Sequence, residues 1–128
     1  MSGTATAADP TARETINLIA SDKVEGTPVY RANGDKIGKI ERVMLEKRSG
    51  NVAYAVMSFG GFLGIGDDHY PVPWKLLRYN ENLGGYEAEI SDAQLKGAPK
   101  FHSNEPWTYG DRAREEAMYS YYGVTPYW

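Results

Sequence analysis

The residues best equipped for chemistry lie in one stretch, Ser58 to Trp74, which reads SFGGFLGIGDDHYPVPW. Its glycines raise the case of a phosphate cradle. Gly64-Ile65-Gly66 begins like the dinucleotide fingerprint G-x-G-x-x-G, but His69 stands where the third glycine belongs. Asp67, Asp68 and Tyr70-Pro71 follow where a helix N-terminus would have to offer its amides, and two carboxylates beside a diphosphate repel it. No Lys-Ser or Lys-Thr pair follows the glycines, so the Walker pattern is absent too. A metal is the next case. In an extended segment Asp67 and His69 share one face with Cα atoms roughly 6.5 to 7 Å apart, close enough to reach one cation. Two ligands fall short of the three or four that a zinc site needs. The other histidine, His102, sits in a Pro-, Lys- and Asn-containing stretch that reads as a solvated linker.

Catalytic constellations are equally thin. Ser58 is not in a G-x-S-x-G elbow, and no third member joins it to His69. Glu87 and Glu89 alternate on one strand, the spacing of a solvated face. The cationic cluster Lys36, Lys39, Arg42, Lys47 and Arg48 is interrupted by Asp35, Glu41 and Glu46, which leaves a local excess of +2. With 14 Lys and Arg against 17 Asp and Glu, the net charge is −3. That balance argues against nucleic acid or an anionic membrane as partner, because both are held by a one-signed basic surface. The absence of cysteine removes disulfides, zinc thiolates and cysteine nucleophiles. No apolar run approaches the ~18 residues of a membrane span, so no membrane insertion is expected. The first residues lack a basic region followed by an apolar one, and a cytoplasmic location is the expectation. No catalytic residue, cofactor or metal is therefore assigned.

The elements that must carry these residues are mostly strands. The 128 residues suit one domain with a modest core. Residues 1–14 are small and polar and read as a disordered arm, residues 15–101 as the folded domain, and residues 102–128 as an aromatic, partly helical extension. Val29 to Ala32 and Lys36 to Leu45 flank Asn33-Gly34, a hairpin signal in which both central residues take positive φ. Ile37 and Ile40 are three apart, so the inward phase must shift once, which a bulge near Gly38 would accomplish, whereas Val43 and Leu45 alternate. Val52 to Phe59 is apolar on nearly both faces, so something beyond the main core must cover it. Tyr70 to Val72, Leu76 to Tyr79 and Tyr86 to Ile90 complete six short strands, the pattern of a small all-β barrel or sandwich. Ser91 and Gln94 have capping-box spacing and open a short helix that Gly97 and Pro99 stop.

The last 22 residues hold seven of the chain's 16 aromatics: Trp107, Tyr109, Tyr119, Tyr121, Tyr122, Tyr127 and Trp128. Asp111 to Tyr122 has helical spacing, with Ala113, Ala117, Met118 and Tyr121 on one face and Gly123 as its stop. So aromatic a segment should dock, either on its own barrel or on a second chain.

The run Gly34 to Glu46, reading GDKIGKIERVMLE, followed by Ser49 to Val56, then GGFLGIG and VPW, resembles the PRC-barrel family over roughly residues 20–100. Glu41 is a mild departure from the family's usual residue after the strand-two isoleucine. The resemblance implies a six-stranded β-barrel used for binding and assembly, and it carries no catalytic residue. The family includes the cytoplasmic domain of the photosynthetic reaction-centre H subunit and the C-terminal domain of the ribosome maturation factor RimM. The chain is similar to a stand-alone bacterial member. The resulting expectation is a non-enzymatic interaction or assembly module, self-associating as a homodimer or larger oligomer. Its contacts are expected at Phe62, Leu63, Ile65, Trp107, Tyr119, Tyr122 and Trp128. The alternatives are a RimM-like ribosome or RNA factor and, with least support, a metal-dependent enzyme using Asp67 and His69.

Overall fold

The computed structural model describes residues 13–59, 68–102 and 112–128. In chain order these form α1 (Ser21–Val24), β1 (Pro28–Tyr30), β2 (Lys36–Leu45), β3 (Val52–Phe59) and β4 (Asp68–Pro73). A 3-10 turn (Trp74–Leu76), β5 (Arg78–Asn80), β6 (Gly85–Glu87), α2 (Asp92–Gly97), β7 (Phe101–His102) and α3 (Arg112–Tyr122) follow. The strands make one sheet in the order β5-β6-β1-β2-β3-β4-β7. Only β1–β6 pairs in parallel; the other neighbours are antiparallel.

The first hairpin forms where Asn33-Gly34 places it, with different turn chemistry. Gly34 N donates to Arg31 O (2.8 Å) and Arg31 N donates to Asp35 O (2.9 Å), so three residues rather than two lie inside the bonded pair. Gly34 takes the left-handed conformation at φ 92°, as the αL residue of such a loop must. The expected bulge is present. Val29 faces Gly38 and Tyr30 faces Lys36, which leaves Ile37 as the extra residue. Both Ile37 and Ile40 are thereby buried despite their spacing. Gly38 is required there, because a Cβ would collide with the Ser58 backbone oxygen across the β2–β3 ladder. The β2–β3 ladder slips twice more, between Ile40 and Arg42 and between Met44 and Leu45, and Leu45 is 50% exposed, against the clean alternation expected with Val43.

Three expected elements differ. Leu76 begins no strand: Leu77 N donates to Trp74 O (3.0 Å), closing a 3-10 turn that swings the Trp74 ring onto Tyr86 at 5.3 Å, and β5 starts only at Arg78. The strand expected through Ile90 leaves its ladder after Glu87, because side chains take over the pairing there. Glu89 Oε1 accepts from Ala32 N (2.8 Å) and Arg31 Nε donates to Ile90 O (3.1 Å). Phe101–His102, read as part of a solvated linker, instead pairs with Asp68–His69.

The sheet curls without closing. Among the described residues no ladder joins β5 to β7, so the expected barrel is an open sheet in its hydrogen bonding. One core nevertheless collects side chains from across the order, including Val72 of β4, Met57 of β3, Ile40 of β2, Val29 of β1 and Tyr86 of β6. At the corner after β4 the Trp74 ring packs on Tyr86 of β6, which joins two strands that are not neighbours in the sheet. α2 carries the predicted capping box, with Ser91 Oγ accepting from Gln94 N (3.1 Å) and Gln94 Oε1 accepting from Ser91 N (2.9 Å).

Candidate interaction surface

β3 has two apolar faces because it separates two cores. Ala55, Met57 and Phe59 enter the main core, while Tyr54 and Val56 face a second cluster with Phe101, Met118 and Tyr119. α3 is the missing cover. It buries Glu115, Met118 and Tyr119, with Tyr122 packed against both clusters. The expected face is turned by about one residue: Ala113 and Ala117 are exposed and Tyr121 is 40% exposed. Aromatic rings bring far more apolar area than two alanines, so they win the inward positions. Glu115 tolerates burial because Arg112 Nε lies 3.5 Å from its Oε1 and Tyr127 Oη donates to the same oxygen at 3.4 Å.

The tail is latched at several points. Tyr119 Oη donates to Ala53 O, and Tyr121 Oη donates to Gln94 O (2.6 Å). Gly123, at φ 68°, ends α3 in a Schellman motif: its N donates to Ser120 O (3.2 Å) and Val124 N to Tyr119 O (3.0 Å). The chain then folds back so that Trp128 meets Tyr119 at 5.6 Å and takes the Arg112 guanidinium over its ring at 3.8 Å. Burial pushes the Tyr119 and Tyr122 phenols well above their ordinary range, and burial beside Asp68 pushes Tyr70 up to about 12.

The residues weighed for catalysis are engaged structurally. Ser58 Oγ donates to Glu41 Oε2 (2.6 Å), Glu87 Oε2 accepts from Asn80 Nδ2 (3.1 Å), and Glu89 holds the first hairpin through Ala32 N. The His69 ring stacks on Phe101 at 5.3 Å and 17°. Asp67, Phe62, Leu63, Ile65 and Trp107 lie outside the described residues. Among the described residues no three His, Asp or Glu side chains gather as a metal site, and no helix is long and apolar enough to cross a membrane.

Of the expected contact residues, Tyr119 is buried in its own chain, Tyr122 is partly buried and Trp128 stays 47% exposed. Other apolar side chains face solvent more fully. Ile16 is 80% exposed and Leu18 71%, with Leu45, Tyr79 and Tyr121 also open. Ile16 and Leu18 stand on a small N-terminal loop closed by a Glu14–Ile19 bridge and by the Ala20 N to Arg13 O bond (2.7 Å). Arg13 and Glu14, assigned by sequence to a disordered arm, are thus placed.

A family model for the PRC-barrel domain matches residues 16–95, well over half of the chain. The chain belongs to the PRC-barrel family. The match begins at Ile16 and ends at Leu95 within α2, so Ile16 and Leu18 lie inside the PRC-barrel unit and the latched tail beyond it. No curated protein matches this PRC-barrel chain.

Proposed function

We propose that this PRC-barrel chain is a non-enzymatic interaction and assembly module that associates with itself. In this reading the curled sheet acts as a barrel whose seam is closed by side chains at the Trp74 corner, and α3 is a permanent cover for β3. The observation that carries the reading is the pairing of two facts. Ser58, Glu87 and Glu89 are each held in structural hydrogen bonds, and the His69 ring is stacked on Phe101. Meanwhile Ile16 and Leu18 face solvent at 80% and 71%, a degree of exposure that marks interfaces when it is clustered.

The test is the mass of the whole chain by light scattering from low-micromolar to submillimolar concentration. The expected mass exceeds the 14.2 kDa of one chain and rises with concentration. A mass that stays at one chain throughout refutes self-association.

A further inference from the structure

We infer that the self-associating face is the end of the sheet where the N-terminal loop meets edge strand β5, and that its occupant is a second copy of this chain in a two-fold dimer. This rests on the self-association reading and specifies its surface. Three of the large apolar side chains open to solvent converge there: Ile16 at 80%, Leu18 at 71% and Tyr79 at 38%. Ile16, Leu18, Ile19, Trp74, Tyr79 and Tyr86 line one groove of ≈ 330 Å³. The loop forms one wall of this groove, with Glu14, Thr15 and Asn17 among its polar lining, so a two-fold axis through it sets the exposed Ile16 and Leu18 of each copy against the same side chains of the other.

The loop is held in place before any partner arrives. Thr15 N donates to Leu18 O (2.7 Å), and Leu18 N donates to Thr15 Oγ1 (3.0 Å). Lys23 grips the Glu14 carboxylate, a contact that together with the Tyr79 hydroxyl holds that carboxyl below its usual range. Ordering costs at the interface are correspondingly small.

Charge fits a second copy. An isologous interface sets identical patches face to face, so a one-signed rim would repel itself. Here the rim charges pair internally, Arg13 with Asp22 at 3.5 Å and Lys23 with Glu14.

Area points the same way. The three side chains expose on the order of 400 Å² per copy, near the largest apolar patch of an ordinary monomer. Two copies supply about 800 Å² of such surface, which at the roughly 60% apolar share of an interface corresponds to about 1,300 Å² in all, inside the ~1,200 to 2,000 Å² of a stable one.

The experiment compares the mass of the full-length wild type, the double variant Ile16→Asp/Leu18→Asp and the control Leu45→Asp at the far end of β2, with circular dichroism confirming equal folding. All three substituted positions are exposed, so the fold does not depend on them. The expected result is a dimer of twice 14.2 kDa for wild type and Leu45→Asp, and a dissociation constant raised at least ~100-fold in the double variant. A double variant that keeps the dimer mass, or a Leu45→Asp chain that dissociates equally, overturns this face while leaving self-association standing. A wild type that is monomeric at every concentration overturns both.

Discussion

Tyr119→Phe tests whether the tail is latched as the structure shows. Ala53 falls in the register slip of β2–β3, where Leu45 pairs with Val52 and Met44 with Tyr54, and the β3–β4 register begins only at Tyr54. Its carbonyl accepts the Tyr119 hydroxyl, and Tyr119 is 2% exposed, so water cannot take the hydroxyl's place. Phenylalanine keeps the ring against Met118, Val56 and Trp128 and removes one donor. Leaving a buried acceptor unsatisfied costs about 1 to 3 kcal/mol. At ~2 kcal/mol, a domain of this length loses roughly 5 to 10 °C of Tm. With a urea m value of ~1 to 3 kcal/mol/M, the midpoint falls by about 1 M at unchanged slope. Tyr121→Phe is the internal comparison. Its bond to Gln94 O is similar at 2.6 Å, but the ring is 40% exposed and solvent can replace the hydroxyl, so the loss should stay below ~0.5 kcal/mol. Urea unfolding of the three chains at one fixed protein concentration reads the difference. If Tyr119→Phe matches wild type, or falls no further than Tyr121→Phe, the latch does not exist as described.

Two further outcomes follow from the packing. Gly38→Ala should destabilise by ~2 kcal/mol or more, because its Cβ meets the Ser58 backbone oxygen and forces β2 from β3; thermal melting checks this, and an unchanged Tm contradicts the close approach. Alkali should unfold the chain cooperatively. Tyr70, Tyr119 and Tyr122 have folded pKa values raised by burial, so their contribution to stability is complete below the unfolded value of about 10 and is lost as pH rises through the folded values. Each such proton steepens the decline by ~1.4 kcal/mol per pH unit. Phenolate absorbance should show these rings titrating only as ellipticity is lost, and ionisation of all ten tyrosines near pH 10 in an intact fold would contradict it.

Legibility in the sequence tracked the range of the forces involved. The β2 bulge was readable from Ile37, Gly38 and Ile40, because a phase break in a strand has few geometric solutions. The α2 cap was readable from Ser91 and Gln94, whose bonds span three residues. The need for a second cover on β3 was readable from its doubled apolar pattern, and α3 supplies it. The orientation of α3 was not, since Tyr119 and Tyr122 outcompete Ala113 and Ala117 only once Tyr54, Val56 and Phe101 form the surface they fit. β7 was missed because two residues carry no periodicity, and their pairing depends wholly on Asp68 and His69. Among contact residues, the exposed pair Ile16 and Leu18 went unassigned beside the denser aromatic tail, of which Tyr119 is committed inward.

Composition and spacing alone determined the strand-rich class, the hairpins, the family likeness and the lack of a recognisable catalytic constellation, because backbone conformational limits and short-range patterns act within a few residues. Tertiary structure decided that the sheet curls without a closing ladder among the described residues, that α3 turns Tyr119 and Tyr122 inward, and that Ile16, Leu18 and Tyr79 share one end of the sheet. Those outcomes are settled by competition for buried area between segments far apart in the chain, where each side chain's place depends on what its distant neighbours leave uncovered.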